Sequence, residues 1–436
     1  MVLVSLALAG VPPHLAQQNM ADAGQFRAFR PAPPPASSGP PDRIVYGYLP
    51  YWTIEPADVP WDHLTHLAVF SVGINSDGTV YDTWKWTDVA TEAVSLGHAH
   101  GVEIELCVTN FDSDSMSTLL ASASNRATAV DQLGDLLEAY GGDGVNVDFE
   151  GLPSSRRADM VSFIQELRAR VGQVTLATPA VDWSDAWDYA ALSDASDGLF
   201  IMGYGYHWTG GDPGPNAPLY AGDTWAQWTL EYSVDDYLAN GADPEKIILG
   251  LPTYGQEWPV SSGSSVPTSA TDDGWSVTYA DAVAEAAAYG RNYDSASETA
   301  WYSRTSTRQC WYDDATSLDP KMAWAVDTRG LGGFGFWALG YDENDPALWA
   351  AVDAASHVEE ADTDTDSDTD ADTDADADVD TDTDADSDAD TDARPGKARV
   401  IEEASACATG AGAAWLGLVA LGMSRRRRHG GHGRTM

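Results

Sequence analysis

The sequence predicts an α/β protein: a closed (β/α)8 barrel with a loop-rich insertion before its last strand, followed by a disordered acidic tail. Three observations predict it. From Arg43 onward, eight apolar runs of strand length recur along the chain. Amphipathic stretches with helical period separate them. The runs are near-continuously apolar rather than alternating, as parallel strands covered by helices are. An open doubly wound sheet is the alternative, and the Gly-rich phosphate loop that would support it is absent from the sequence.

Residues 1–42 precede the barrel. Residues 1–16 are apolar but lack the basic start of a secretory signal, and read as a degraded or truncated signal, with a disordered extension as the alternative. Residues 31–41 are rich in Pro and Ser and read as a linker. The barrel takes residues 43–357, with strands predicted at 44–49, 64–72, 102–108, 144–149, 174–178, 198–202, 246–250 and 333–337. A helix is predicted over 156–171, where Met160, Phe163, Ile164, Leu167 and Val171 share one face. Residues 256–319, rich in Ser, Thr and aromatics, are the long connection before the last strand and are expected to form extra strands or lids over the barrel mouth.

The chain then changes in kind. Asp occupies every even position from 362 to 392, and residues 358–400 read as a disordered spacer extended by its own charge. Residues 401–436 carry Cys407, an apolar stretch at 408–423 and four arginines at 425–428. Sixteen apolar residues are short for a membrane span. Acidic spacer, apolar segment and terminal basic cluster together resemble the Cys-containing sorting tails of myxobacterial envelope proteins. A plain anchor is the alternative. Either implies a secreted or surface-anchored protein whose tail meets a membrane or a sorting protease.

The formal net charge is −45 over 436 residues. Residues 1–358 alone carry 15 Lys/Arg against 48 Asp/Glu, a net charge of −33. Such a surface repels nucleic acid and anionic polymers and suits a neutral or cationic partner, or else it serves solubility alone and says nothing of function. The three cysteines, Cys107, Cys310 and Cys407, match no zinc spacing and no disulfide scaffold. Cys107 lies in an apolar run and reads as core, and a Cys107–Cys310 bridge is left open. His63 and His66 flank a strand start and read as packing residues, so no metal is expected.

The chemistry concentrates at Asp143-Gly-Val-Asn-Val-Asp-Phe-Glu150. On a strand, Asn146, Asp148 and Glu150 share one face and Val145, Val147 and Phe149 the other. Acids on the inner face of a barrel are costly without a purpose. Two carboxylates about 6–7 Å apart on one face couple, and one can stay protonated near neutral pH. General acid cleavage of a glycosidic bond needs that proton.

This segment resembles the Asp-Gly-x-Asp-x-Asp-x-Glu signature of family 18 glycoside hydrolases. Tyr46-Gly-Tyr-Leu-Pro-Tyr-Trp52 resembles the family's first strand, and Met202-Gly-Tyr-Gly-Tyr-His-Trp208 its sixth. Ile248-Leu-Gly-Leu-Pro-Thr-Tyr-Gly255 is similar to the seventh, and Gly332-Gly-Phe-Gly-Phe-Trp-Ala-Leu-Gly340 to the eighth. Five matches in order, over about residues 43–350, imply a TIM barrel that hydrolyses β-1,4 bonds in N-acetylglucosamine-containing polysaccharide, without cofactor and as a monomer. Asn146 and the segment 293–314 resemble the bacterial, peptidoglycan-directed branch that includes spore-cortex-lytic enzymes.

The resemblance assigns roles. Glu150 is the general acid. Asp148 orients the substrate's 2-acetamido group, whose oxygen attacks C1 in place of an enzyme nucleophile, an exception to the two-carboxylate scheme. Tyr204 donates to that acetamido oxygen, and Trp337 stacks beneath the sugar. Asp143 and Asn146 support the pair. Tyr48, Trp52, Met202, Tyr206, His207 and Tyr254 complete the substrate site. Two positions depart from the pattern. Asn146 replaces an acid that shares a proton with Asp148, and Gly205 replaces an acid that contacts the reacting sugar. His207 and Asp182, polar groups near the expected mouth, are candidates to compensate for Gly205. A catalytically weak, sugar-binding barrel is the competing function, and a purely structural envelope protein a third.

Overall fold

The computed structural model describes residues 27–358 together with Gln17. The expectations for the signal, the acidic spacer and the sorting tail lie outside the described residues.

In chain order the strands are β1 (Ile44–Pro50), β2 (His66–Ile74), β3 (Val80–Tyr81), β4 (Glu103–Asn110), β5 (Gly144–Phe149), β6 (Gln173–Pro179), β7 (Gly198–Met202) and β8 (Ile247–Pro252). They are followed by β9 (Tyr254–Pro259), β10 (Trp275–Thr278), β11 (Arg291–Asp294), β12 (Thr299–Thr305), β13 (Arg308–Tyr312) and β14 (Gly333–Trp337). The parallel order β1-β14-β8-β7-β6-β5-β4-β2 returns to β1 through a β1–β2 ladder, so the sheet is a closed eight-stranded barrel. An open sheet is thereby excluded. β3 adds an antiparallel hairpin arm to β2.

Each barrel strand falls on one of the eight apolar runs. The second starts and ends two residues later than its run, because Leu64 follows a 3-10 turn at Trp61–His63. The runs are continuous because both faces are covered. Val45, Val69, Leu106, Val145, Val147, Phe149, Leu176 and Leu249 face the helices in one large cluster. Tyr46, Tyr48, Ala68, Phe70, Cys107, Phe200, Ile248 and Trp337 form a second cluster inside the barrel. The helix Arg157–Val171 lays Met160, Phe163, Ile164 and Leu167 on the outer face, where Phe163 stacks on Phe149 at 5.7 Å. Glycine shapes the interior beside Phe200. A Cβ at Gly250 would lie 2.2 Å from the Phe200 ring, so only glycine lets that ring cross the barrel.

The insertion before the last strand forms the extra strands expected of it. It holds a five-stranded antiparallel sheet of order β10-β9-β13-β12-β11. The helix Tyr279–Tyr289 packs Ala282 and Ala286 against Ala300, Tyr302, Cys310 and Tyr312 of that sheet. The bounds of these strands were not legible, because small and hydroxyl side chains, which pack well against alanine, look like loop residues. Cys107 and Cys310 are both free and buried, one inside the barrel and one in the second sheet, so the bridge left open above does not form.

Residues 27–42, read as part of a leader and linker, lie along the barrel. Ala32 N–H donates to Glu343 O at 2.8 Å, and the Asp42 and Arg43 amides donate to Ser356 O at 3.0 and 3.2 Å. The last helix among the described residues, Pro346–Ser356, buries Leu348, Trp349 and Val352. Among the described residues no helix is long and apolar enough to cross a membrane.

Candidate active site

β5 delivers the acids. Its register with β4 sets Asn146 beside Cys107 and Asp148 beside Thr109, and the Glu150 amide donates to Asn110 O at 3.1 Å. Asp148 is 2% exposed. Glu150 follows the last strand residue, at the C-terminal rim where barrel enzymes build their sites. It is partly exposed as a residue, yet its Oε1 is sealed from solvent. Burial pushes the Asp148 carboxyl up. Burial and then the charge of Asp148 push Glu150 well above the usual carboxylate range, so Glu150 keeps its proton to higher pH than an ordinary glutamate. A neutral carboxylic acid beside a second, coupled carboxyl is an arrangement that can donate a proton to a leaving group.

Aromatic side chains wall this pair. Tyr204, 7% exposed, has Asp148 and Glu150 among the charges that act on it, and its ring meets Tyr254 edge-on at 6.0 Å. Trp337, at the end of β14, packs against Phe70 at 4.7 Å and Tyr48 at 5.6 Å. Trp52 stands next to Trp337 at 6.3 Å and donates from Nε1 to Tyr341 OH at 2.9 Å. Met202 packs on the same cluster at the end of β7. Tyr48 OH donates to Asn146 Oδ1 at 3.2 Å, and Asn146 Nδ2 donates to Thr175 Oγ1 at 2.9 Å. Glu150, Asp148, Asn146, Tyr204, Tyr48, Trp52, Met202, Tyr254 and Trp337 therefore gather at one end of the barrel interior.

Four sequence candidates lie elsewhere. Asp143 precedes β5 at the opposite end of the strand, where it accepts from Ile104 N–H at 2.7 Å and meets His98 Nε2 at 2.9 Å. It supports the β4–β5 pairing, at a distance from the acids. Tyr206 turns outward, its OH 2.6 Å from Ser233 Oγ and its ring against the outer cluster. His207 lies under the insertion, its ring edge-on to Trp225 at 5.2 Å and its Nδ1 3.1 Å from Asp212 O. Asp182 accepts from the amides of Ser184 and Trp187 in its own turn. Beyond the end of β7 the backbone bends at Gly205 and alternation is lost, so Tyr204 points in while Tyr206, two residues on, does not.

Asn216 went unnoticed in the sequence. It is 0% exposed; its Oδ1 accepts from Gly205 N–H at 2.9 Å and its Nδ2 donates to Tyr254 O at 3.1 Å. Gly205 has φ +78°, a conformation suited to glycine. Its lack of a side chain thus accompanies a backbone bend that Asn216 clamps, and no signal in a single sequence marks that clamp. Gln17 is also 0% exposed; its Oε1 accepts from Trp337 Nε1 at 2.7 Å and from Tyr341 OH at 3.2 Å. A carboxamide thus sits against the indole N–H at the floor of the site. His66 is more than a packing residue, since its Nε2 lies 3.0 Å from Glu103. Among the described residues no group of three or more His, Cys, Asp or Glu is arranged to hold a metal ion.

The profile described as glycosyl hydrolases family 18 matches residues 44–342. A protein of Bacillus subtilis (strain 168) named as a sporulation-specific glycosylase, YdhD, is 28% identical over 246 residues, which are 53% of this chain and 56% of that protein. The chain therefore spans just over half the length of that relative. The cortical fragment-lytic enzyme of Bacillus anthracis is 24% identical over 296 residues, 64% of this chain and 65% of that one. In architecture, the Ostrinia furnacalis group IV chitinase, solved with allosamidin, superposes with a TM-score of 0.67 at 19% identity, over 72% of this chain and 98% of that one. The chitinase-like agglutinin of Robinia pseudoacacia gives a TM-score of 0.65 at 20% identity, over 72% and 99%. At such identities the two structures speak for the fold alone.

Proposed function

The chain belongs to glycosyl hydrolase family 18, and from that premise we propose that it hydrolyses β-1,4 bonds of N-acetylglucosamine-containing glycans with retention, by substrate-assisted catalysis. One observation carries the reading: Asp148 and Glu150, raised together by burial, stand at the mouth of the barrel among Tyr204, Trp337 and Trp52. Glu150 gives its proton to the leaving glycosidic oxygen. As the C1–O bond breaks, the substrate's own acetamido oxygen closes on C1, and Asp148 holds the acetamido N–H. Tyr204 donates to the acetamido oxygen. Trp337 offers an aromatic floor to the C–H face of the sugar. Water then opens the cyclic intermediate, and the Glu150 carboxylate takes its proton. The buried amide of Gln17 against Trp337 supports a pocket that accepts a carboxamide.

The names of the bacterial relatives point to peptidoglycan, and that of the insect structure to chitin. Reducing-end release from chitin oligomers and from purified peptidoglycan, with Glu150→Gln as control, tests the proposal. Turnover that the variant lacks on either glycan supports it. Tight binding without turnover on both would replace it with the sugar-binding reading, which the missing side chain at Gly205 favours. The same reading places the protein outside the cell, either secreted or held at the envelope.

A further inference from the structure

Glu105 is a fully buried acid that the proposed mechanism does not use. It lies inside the barrel on β4, in register with Gly144 and two residues before Cys107. Burying a carboxyl is unfavourable unless partners converge on it, and here three donors do. Tyr46 OH of β1 and Thr175 Oγ1 of β6 donate to Oε2, each at 2.5 Å. Gln173 Nε2 donates to Oε1 at 3.0 Å and also reaches Glu103 at 2.6 Å.

Thr175 has a single hydroxyl proton. Given to Glu105, it leaves the threonine oxygen free to accept, and Asn146 Nδ2 donates to that oxygen at 2.9 Å. The Asn146 amide is thereby turned with its oxygen toward Tyr48, whose OH donates to it at 3.2 Å. Every donor in this chain points from the site toward Glu105. Asn146 lies two residues before Asp148 on the same face, and Tyr48 packs against Trp337. An acid one layer below the site thus fixes the polarity of the groups that touch the site's floor.

We propose that Glu105 is a positioning residue of the active site: acting through Thr175, it locks the Asn146 carboxamide with its oxygen on Tyr48, and so sets the floor on which Asp148 works. This rests on the family 18 reading of Asp148 and Glu150. The groups facing Glu105 are Tyr46 and Tyr48 from β1, His66 from β2, Cys107 on its own strand, and Gln173 and Thr175 from β6, with Glu103 sharing the Gln173 amide and Asn146 reached through Thr175. His66 stacks on Tyr46 at 5.8 Å and is the cation of the set when protonated. Burial raises Glu105, while His66 and the three hydrogen bonds pull it back.

The test is a two-by-two exchange of acid and amide. In Glu105→Gln the new amide donates to Thr175, which then turns its proton on Asn146 and opposes the amide there. In Asn146→Asp two acids compete for one threonine proton. In the double variant both links of Thr175 reverse and are satisfied again: the amide introduced at position 105 donates to Thr175, and Thr175 donates to the acid introduced at position 146, which still accepts from Tyr48. Each single variant is expected to lower kcat by about 10- to 100-fold, with KM little changed and the pH profile of kcat displaced. The double variant is expected to recover most of that loss. Thr175→Val, which cuts the link, should behave like Glu105→Gln. Additive losses in the double variant, or an unchanged pH profile in Glu105→Gln, overturn the proposal. Thermal unfolding of wild type, the two single variants and the double variant reads the coupling without substrate. Coupled melting temperatures with no wild-type turnover would sink the hydrolase reading while leaving the network standing. Turnover without coupling would do the reverse.

Discussion

Glu150→Gln keeps the shape of the side chain and removes its proton chemistry, so activity and stability should move in opposite directions. General acid catalysis contributes roughly 10²- to 10⁴-fold, which lowers the barrier by about 3–5 kcal/mol at about 1.36 kcal/mol per decade. The loss in kcat/KM should fall in that range. Stability follows from the raised titration of both acids. Residues two apart on one strand face are about 6.6 Å apart, where two unit charges at an effective dielectric constant of about 20 repel by about 2.5 kcal/mol. A carboxyl raised in the folded state binds its proton more tightly there than in the unfolded chain. Its burden is therefore absent below the ordinary glutamate range and grows as pH rises toward its folded value. Glu150→Gln should melt at or above the wild-type temperature at neutral pH, and the gap should close in acid. Reducing-end kinetics on chitin oligomers and calorimetry across pH measure both effects. Turnover within a few-fold of wild type would refute the acid assignment. A variant less stable than wild type, by more as pH rises, would refute the account of the pair.

Four further outcomes are expected. Asp148→Asn removes the charge that adds to burial in raising Glu150, so the alkaline fall of kcat/KM should move to lower pH, read from a pH–rate profile. Gly205→Ala forces a Cβ onto a backbone at φ +78° and should destabilise by about 1 kcal/mol, seen as a lower melting temperature. Gln17→Ala removes the acceptor on Trp337 Nε1; if that carboxamide stands where a glycan's would, KM for a chitin oligomer should fall while kcat holds. A chain ending at Val358 should hydrolyse substrate as well as the full chain. One ending at Val352 loses the Ser356 carbonyl that holds the Asp42 and Arg43 amides, and should melt lower.

The barrel was legible because covered parallel strands leave long apolar runs, and eight of them recurred in order. The acid pair was legible because period-2 alternation along β5 separates Asn146, Asp148 and Glu150 from Val145, Val147 and Phe149. That rule carries one residue past β5, to Glu150, and fails where the backbone turns. Beyond Met202 the chain bends at Gly205, so Tyr206 and His207 turn to Ser233 and Trp225 instead of the site. Contacts between distant segments were not legible either. Asn216 reaches Gly205 and Tyr254 across loops, Glu105 reaches Asn146 through a residue of a third element, and Gln17 reaches Trp337 across 320 positions. A single sequence carries no local signal for such pairs, because each residue is ordinary where it stands.

The motif from Asp143 to Glu150 works at both ends of one strand. At its start Asp143 takes the Ile104 amide at 2.7 Å, which pins the level at which β5 meets β4. That level decides which β4 residue stands beside each position of β5: Glu105 beside Gly144, Cys107 beside Asn146, Thr109 beside Asp148. Thr109 in turn meets Ser71 Oγ at 3.3 Å next to Asp148. On the other side, a Cβ at Gly144 would lie 3.0 Å from Gln173 Cβ, so the bare glycine lets β6 come close with the amide that Glu105 accepts. A slip of one residue would turn Asp148 and Glu150 toward the helices and bring Val147 and Phe149 into the barrel. The amide that Asp143 accepts at the far end and the proton that Glu150 holds at the near end are thus consequences of one register. The acid that looks remote from the chemistry belongs with it because it fixes the height of the strand on which the chemistry stands.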